Sequence, residues 1–266
     1  VARGVVSPSG TIPLTVGQHQ AFTASTLDAS GQPLTGRAVT WTANDTSVVK
    51  VGPDGLATAT GAGISFIVAS REGRRDSAFV DVTGATVTCL RPWAVPDVWF
   101  APNVYGRVVT GSFGAVFGSV VPTPNSGNYF PLQLGGTSGS SYVGNIVSCS
   151  SFPVTLGVPT NLAVGNLAGP TVTGLDSLFK LDPNAVWDPS ANGGQGGIVG
   201  SNAPPGGESV RVVRLGTYTL SDNSLGSSAI RLRRVAYVFV ESYVTTTGVP
   251  PGATRGDITL RFLRFE

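Results

Sequence analysis

Glycine and proline punctuate this chain so densely that few windows can carry a helix of even three turns. Of its 266 residues, 36 are Gly and 19 are Pro. Both residues cost helix stability, whereas the abundant Val and Thr between them fit a half-buried pleated surface. The chain is therefore expected to be all-β: a β-sandwich followed by a second, loop-rich β domain with at most one short helix.

The first segment divides into short strands between turn signals. Thr11–Val16 leads to Gly17, and Ala21–Leu27 runs into Asp28-Ala29-Ser30-Gly31. Arg37–Thr42 alternates, with Val39 and Trp41 on one face, and Trp41 is expected in the core. Ser47–Val51 and Leu56–Thr60 flank Pro53-Asp54-Gly55, where Gly suits a positive φ. Ile64–Ser70 and Ser77–Val82 flank the charged tip Arg71-Glu72-Gly73-Arg74-Arg75. Seven short strands at this spacing predict a sandwich.

Several linked blocks in this segment resemble bacterial Ig-like group 2 domains. They are Val16-Gly17-Gln18, Val39-Thr40-Trp41-Thr42, Asn44-Asp45, Ser47-Val48-Val49-Lys50-Val51, Gly55-Leu56-Ala57-Thr58-Ala59 and Gly61-Ala62-Gly63, followed by Ile64–Ala69. The resemblance spans residues 4–83 and implies an Ig-like fold found on cell surfaces or phage particles. It implies no reaction, because function resides in sites rather than folds. The first domain is placed at residues 1–84 and the second at 85–266.

The second segment is less regular. Arg107–Val121 is glycine-laced, Thr123–Gly127 and Gly135–Ser141 look like exposed loops, and Gly193–Gly207 reads as a mobile loop or surface extension. Helical spacing is confined to Thr173–Lys180, with Thr173 as N-cap and Asp182-Pro183 as the stop. Three strands close the chain: Ser209–Leu220, Ala229–Tyr243 and Asp257–Phe265. Arg often alternates with apolar residues there, as expected of a sheet with one wet face.

This segment resembles the soluble part of TadG-like Flp pilus assembly proteins. Its opening Cys89-Leu90-Arg91-Pro92-Trp93-Ala94-Val95-Pro96-Asp97-Val98-Trp99 carries the likeness first. Gly127–Leu132, Gly169–Leu175, Asp182–Asp188, Ser209–Val213 and Gly256–Phe262 follow in the same order. The resemblance covers residues 89–265 and implies an envelope-associated assembly or structural part, with no chemistry to transfer.

Cys89 and Cys149 both lie in this segment. A single disulfide in an oxidising compartment is the first reading, and two buried free thiols the second. Two Cys need further ligands for zinc, and the sole histidine, His19, is far away in sequence. No stretch of 18 apolar residues occurs, so no membrane-spanning helix is expected. The chain begins at Val1 without a signal-like leader, so it reads as a mature or trimmed product whose signal peptide or anchor is already gone.

Charged residues are 12% of the chain and the net charge is +2. So little charge favours an assembly that covers much of the surface. The balance is too weak for tracking phosphates, so nucleic acid is not an expected partner. Catalytic patterns are thin. His19 sits beside a turn and lacks a triad context, and neither Lys50 nor Lys180 falls in a Ser-Lys motif. Asp97, Asp182 and Asp188, near Trp93, Trp99 and Trp187, are the best carboxylates for sugar chemistry, but Asp beside Pro or Asn ordinarily starts turns. Asp182, Asn184 and Asp188 are a weak calcium candidate, since the EF-hand positions for Gly and Glu hold Trp187 and Gly193. Arg231, Arg233, Arg261 and Arg264 either cover a solvent face or form an interface with acidic groups of a partner.

The sequence thus predicts a non-catalytic, exported structural or assembly subunit of the bacterial envelope, periplasmic or at the cell surface, without cofactors. It would act through protein contacts, with no chemistry of its own, in a Tad-type pilus system or another surface complex, and be membrane-associated through partners or a removed anchor. An adhesin or phage-surface binding module, and an accessory extramembrane subunit of a large membrane complex, are the competing classes.

Overall fold

The computed structural model describes residues 3–35, 38–113, 129–165, 167–219, 221, 228–247 and 254–266. The whole of the expected loop Thr123–Gly127 and parts of Arg107–Val121 and Gly127–Leu132 fall on residues 114–128, outside the described residues, as do Arg37 and Leu220. The chain forms two compact units: Val1–Thr86 with Thr155–Val158, and Val87–Val154 with Pro159–Glu266.

The first unit contains β1 (Arg3–Ser7), β2 (Thr11–Thr15), β3 (His19–Ala21), β4 (Thr23–Leu27), β5 (Thr40–Ala43), β6 (Val49–Val51), β7 (Leu56–Ala59), β8 (Gly63–Arg71) and β9 (Arg74–Thr83). A four-stranded sheet in the order β2-β9-β8-β5 and a three-stranded sheet β3-β7-β6 contribute to one core, while β1 pairs with β4. Alternation decides which side chains enter. Ile67 and Ala69 of β8 and Ala78, Val80 and Val82 of β9 are buried, while Phe66 and Phe79 meet edge-on on the other face. This is the expected sandwich.

Two turns fit their residues closely. Glu72 and Gly73, with φ of 47° and 75°, join Arg71 to Arg74 as the tight β8–β9 hairpin, a geometry that needs two left-handed residues. Gly55 has φ of 83°, and a Cβ there would lie 2.3 Å from the Phe22 carbonyl oxygen. Trp41 is half-buried and packs against the core, whereas the large ring enclosed within it is Phe22. The unit also takes in Thr155–Val158, where the Gly84 amide donates to Leu156 O and the Leu156 amide to Ala85 O.

The remaining strands are β10 (Thr86–Val87), β11 (Trp93–Pro96), β12 (Val108–Phe113), β13 (Phe130–Pro131), β14 (Val154–Thr155), β15 (Pro159–Asn161), β16 (Val186–Asp188), β17 (Gly197–Val199), β18 (Val212–Tyr218), β19 (Ala229–Arg231), β20 (Arg234–Thr247) and β21 (Thr254–Phe265). The second unit is built on a six-stranded sheet in the order β12-β21-β20-β18-β11-β13. Its ladders are antiparallel except β11–β18. The expected strand Ala229–Tyr243 is broken after Arg231 and resumes at Arg234. The glycine-rich stretch after Gly193 is partly ordered, because β17 pairs with β16 as a hairpin.

Helices correct one expectation. Where at most one short helix was predicted, this unit holds α1 (Gly139–Ser148), α2 (Ala168–Leu181) and the single turn α3 (Ala191–Gly194). α1 overlaps the expected loop Gly135–Ser141. Its sequence is poor in helix formers, but Ser138 caps it by accepting from the Ser141 amide at 3.2 Å. Tyr142 and Ile146, four residues apart, then enter the core from one face. α2 begins before the expected Thr173. Leu167 is its N-cap, without a side-chain bond, and Thr173 donates its hydroxyl back to Gly169 O at 3.1 Å. Pro170 is tolerated because it stands in the first turn. Asp182 ends the helix as expected.

Both longer helices supply the core that covers one sheet face, joining Leu175 and Leu178 to Val213, Leu215, Val238 and Leu260. They approach at Gly174, where a Cβ would lie 2.7 Å from Cδ1 and 2.8 Å from Cβ of Ile146. Alanine normally favours a helix by about 1 kcal/mol over glycine. Gly174→Ala is nevertheless expected to destabilise the protein by about 1–3 kcal/mol through overpacking, measured as a lower urea midpoint. An increased midpoint would show that Ile146 has room to yield.

Candidate protein interface

Strand register sets the side chains on the sheet face away from α1 and α2. Arg214 of β18 stands opposite Tyr237 of β20, and Tyr237 opposite Arg264 of β21. Phe239 likewise stands opposite Arg261. Arg261 and Arg264 are three residues apart, a spacing that in a regular strand puts side chains on opposite faces. A register shift between Tyr237 and Val238 skips Leu263 and brings both arginines to the face of Tyr237 and Phe239.

The result is a stacked row across three strands. The Arg264 guanidinium carbon lies 4.0 Å from the centre of the Tyr237 ring, and that of Arg214 lies 5.7 Å away. Arg214 donates to Thr88 O and pairs with Glu266, while Arg264 pairs with Glu208 at 3.0 Å. The side chains of Arg264 and Glu208 are 51% and 54% exposed, so this pair contributes little stability by itself. Arg261 pairs with Glu241 at 2.8 Å, donates to Gly106 O and lies 4.8 Å from the Trp187 ring centre, and Tyr105 packs against the same indole. Each of the three arginines therefore has a glutamate within its own chain.

The other two predicted interface residues are elsewhere on the second unit. Arg231 ends β19, which pairs with β15, and Arg233 follows it, donating its backbone amide to Thr217 O. Both are half-buried.

The candidate carboxylates have separate structural partners. Asp97 receives Arg234 through two bonds, Nε to Oδ1 at 2.7 Å and Nη2 to Oδ2 at 2.6 Å, and the Thr217 hydroxyl at 2.8 Å. Asp182 is buried and accepts from the hydroxyls of Ser201 and Ser209 and from the Asn202 amide. Burial opposes its charge, but those three bonds and nearby Arg211 outweigh it and hold the carboxyl below the ordinary aspartate range. Asp188 accepts from the hydroxyl and amide of Ser190, which lower its pKa, and Asn184 is exposed. Among the described residues, no group of three or more His, Cys, Asp or Glu comes together to hold a metal ion. His19 is exposed and bonds to the Thr58 hydroxyl.

Trp93 is enclosed in the core and donates to the Tyr142 hydroxyl at 2.9 Å. Burial pushes the Tyr142 phenol up to about 12. Trp99 is partly buried against the same core, and Trp187 is half-buried on β16. Cys89 and Cys149 form the disulfide predicted first.

Sequence reasoning did not anticipate the role of Arg211, which is 2% exposed. Its guanidinium donates to the backbone oxygens of Val240, Asp182, Ala185 and Glu241. The rings of Phe179 and Phe239 lie 3.8 and 4.9 Å from it. The only sequence signal was its position in the apolar run Val210-Arg211-Val212-Val213.

No family model and no curated protein matches the chain. Similarity to solved structures is low. The S-layer protein SbsC domains 4 and 5 match at 11% identity and TM-score 0.27, over 98% of this chain and 85% of that one. An EHEC O157:H7 intimin mutant matches at 16% identity and TM-score 0.22, over 58% and 84%. A bacterial Ig-like domain containing GH10 xylanase from termite gut matches at 20% identity and TM-score 0.22, over 36% of this chain and 23% of that one.

Proposed function

We propose that this chain is a non-catalytic structural or assembly subunit of the bacterial envelope, exported and acting through protein contacts. The row Arg214–Tyr237–Arg264 is the observation that carries this reading. Tyr and Arg are enriched where proteins meet, because they offer large, flat contact areas. The disulfide suits an oxidising compartment. The resemblance of residues 4–83 to bacterial Ig-like group 2 domains supports a surface location. That of residues 89–265 to TadG-like proteins supports a part in a Tad-type pilus assembly.

The internal Arg–Glu pairs shape the expected contact. With its charges already matched, this face meets a partner by stacking and packing, so binding is only weakly sensitive to salt. A photo-crosslinking side chain placed at Tyr237 in the full chain, expressed in its native envelope, is expected to capture a specific protein. The same group at Thr58, which is half-buried like Tyr237 but in the first unit, should not capture it, and the yield at 237 should change little between low and high salt. An absence of protein adducts at 237, or equal capture at 58, would overturn the assignment.

A further inference from the structure

Arg91 is 7% exposed, and its Nε and Nη1 are enclosed without a hydrogen-bond partner among the described residues. Arg71, Arg214 and Arg261 each leave an enclosed Nε unbonded as well, but both of their terminal nitrogens are bonded, whereas Arg91 also has an enclosed terminal nitrogen without a partner. Arg211 has backbone oxygens for its nitrogens, and Arg234 has the Asp97 carboxylate. Burial alone draws the Arg91 guanidinium down to about 10, with no acidic group offsetting it. Buried charges are ordinarily paired, and an unsatisfied buried polar group calls for an explanation.

The backbone holds Arg91 in place. Its amide donates to Arg214 O, its carbonyl accepts from the Trp93 amide, and Cys89, two residues earlier, is tied to Cys149. Leu90 and Ser150 form a bridge beside it, and Trp93 is enclosed in the core. A fixed, poorly hydrated cation with vacant donors is a preorganised anion receptor.

We propose that Arg91 receives an oxyanion from outside this chain. A guanidinium recognises carboxylate and phosphate through charge-assisted hydrogen bonds. The acceptor is either a free oxyanion or a carboxylate on a partner protein. The second source rests on the assembly reading above; the first stands without it.

The test uses the full, disulfide-bonded chain labelled with 15N. Acetate and inorganic phosphate are titrated separately against chloride at constant ionic strength. The Arg91 Nε–H resonance, assigned by its loss in Arg91→Lys, is expected to shift saturably with at least one oxyanion. The unfolding midpoint of the wild type should rise over the same range, as binding to the folded state requires, and that of Arg91→Met should not. Preference for acetate favours a partner carboxylate, and preference for phosphate a free oxyanion. No saturable shift with either, or an equal midpoint rise in Arg91→Met, would overturn the proposal. If Arg91→Met does not fold, the wild-type resonance decides alone. Crosslinking at Tyr237 reads the assembly separately, so failure of one leaves the other standing.

Discussion

Arg211→Met is expected to lower the stability of the protein by about 3–5 kcal/mol, the usual consequence of removing one member of a buried ionic arrangement. Methionine fills similar space and keeps contact with Phe179 and Phe239. It supplies no donors for the oxygens of Val240, Asp182, Ala185 and Glu241. It also removes the positive charge near the buried Asp182 carboxylate. Lysine restores charge without the planar fork and is expected to recover only part of the loss. Urea unfolding followed by tryptophan fluorescence measures both variants. A loss below about 1 kcal/mol for the methionine variant would mean that water replaces the guanidinium at little cost.

Acid provides a second reading of the same arrangement. The folded state holds the Asp182 carboxyl below its ordinary range, so this group binds protons more readily when unfolded. Its contribution is complete above the unfolded pKa and is lost as pH falls toward the lower folded one. Asp182→Asn should therefore flatten the acid limb of the stability curve, while costing stability at neutral pH.

The first unit was largely legible because its signals are local. Ile67 and Ala69 alternate with Phe66 and Val68, and Gly55 and Gly73 stand where left-handed turns need them. The second unit obeys longer-range terms. α1 carries Gly139, Ser140, Ser141, Gly144 and Asn145, so intrinsic preference points away from a helix; packing of Tyr142 and Ile146 outweighs it. The bulge at Leu263 leaves no periodic trace, yet it decides that Arg261 and Arg264 share a face. The glutamate partners of the stacked row were equally hidden: Arg264 finds Glu208 across 56 residues, and Arg214 finds Glu266 across 52. Arg211 looked like one more solvated arginine because its acceptors are backbone oxygens, which side-chain patterns do not reveal.

Reducing Cys89–Cys149 is expected to cost about 4 kcal/mol, because the bond closes a long loop in the unfolded chain. The two cysteines are 60 residues apart and join the segment entering β11 to the end of α1. Hydrogen bonds from Cys89 N to Ser150 O and from Ser150 N to Leu90 O cross beside the bond, so the folded geometry has local support after reduction. Cys89 and Cys149 have φ of 58° and 61°, a region costly for any side chain with a Cβ. Replacing both with serine should reproduce the loss on reduction, since serine retains that backbone cost. Replacing both with glycine removes the crosslink and relieves the backbone in the folded state, although glycine also loosens the unfolded chain. The glycine pair is therefore expected to unfold at a higher urea concentration than the serine pair if left-handed strain dominates. Coincident unfolding of oxidised and reduced wild type would remove the crosslink from the account of stability, and with it the main structural support for an oxidising compartment.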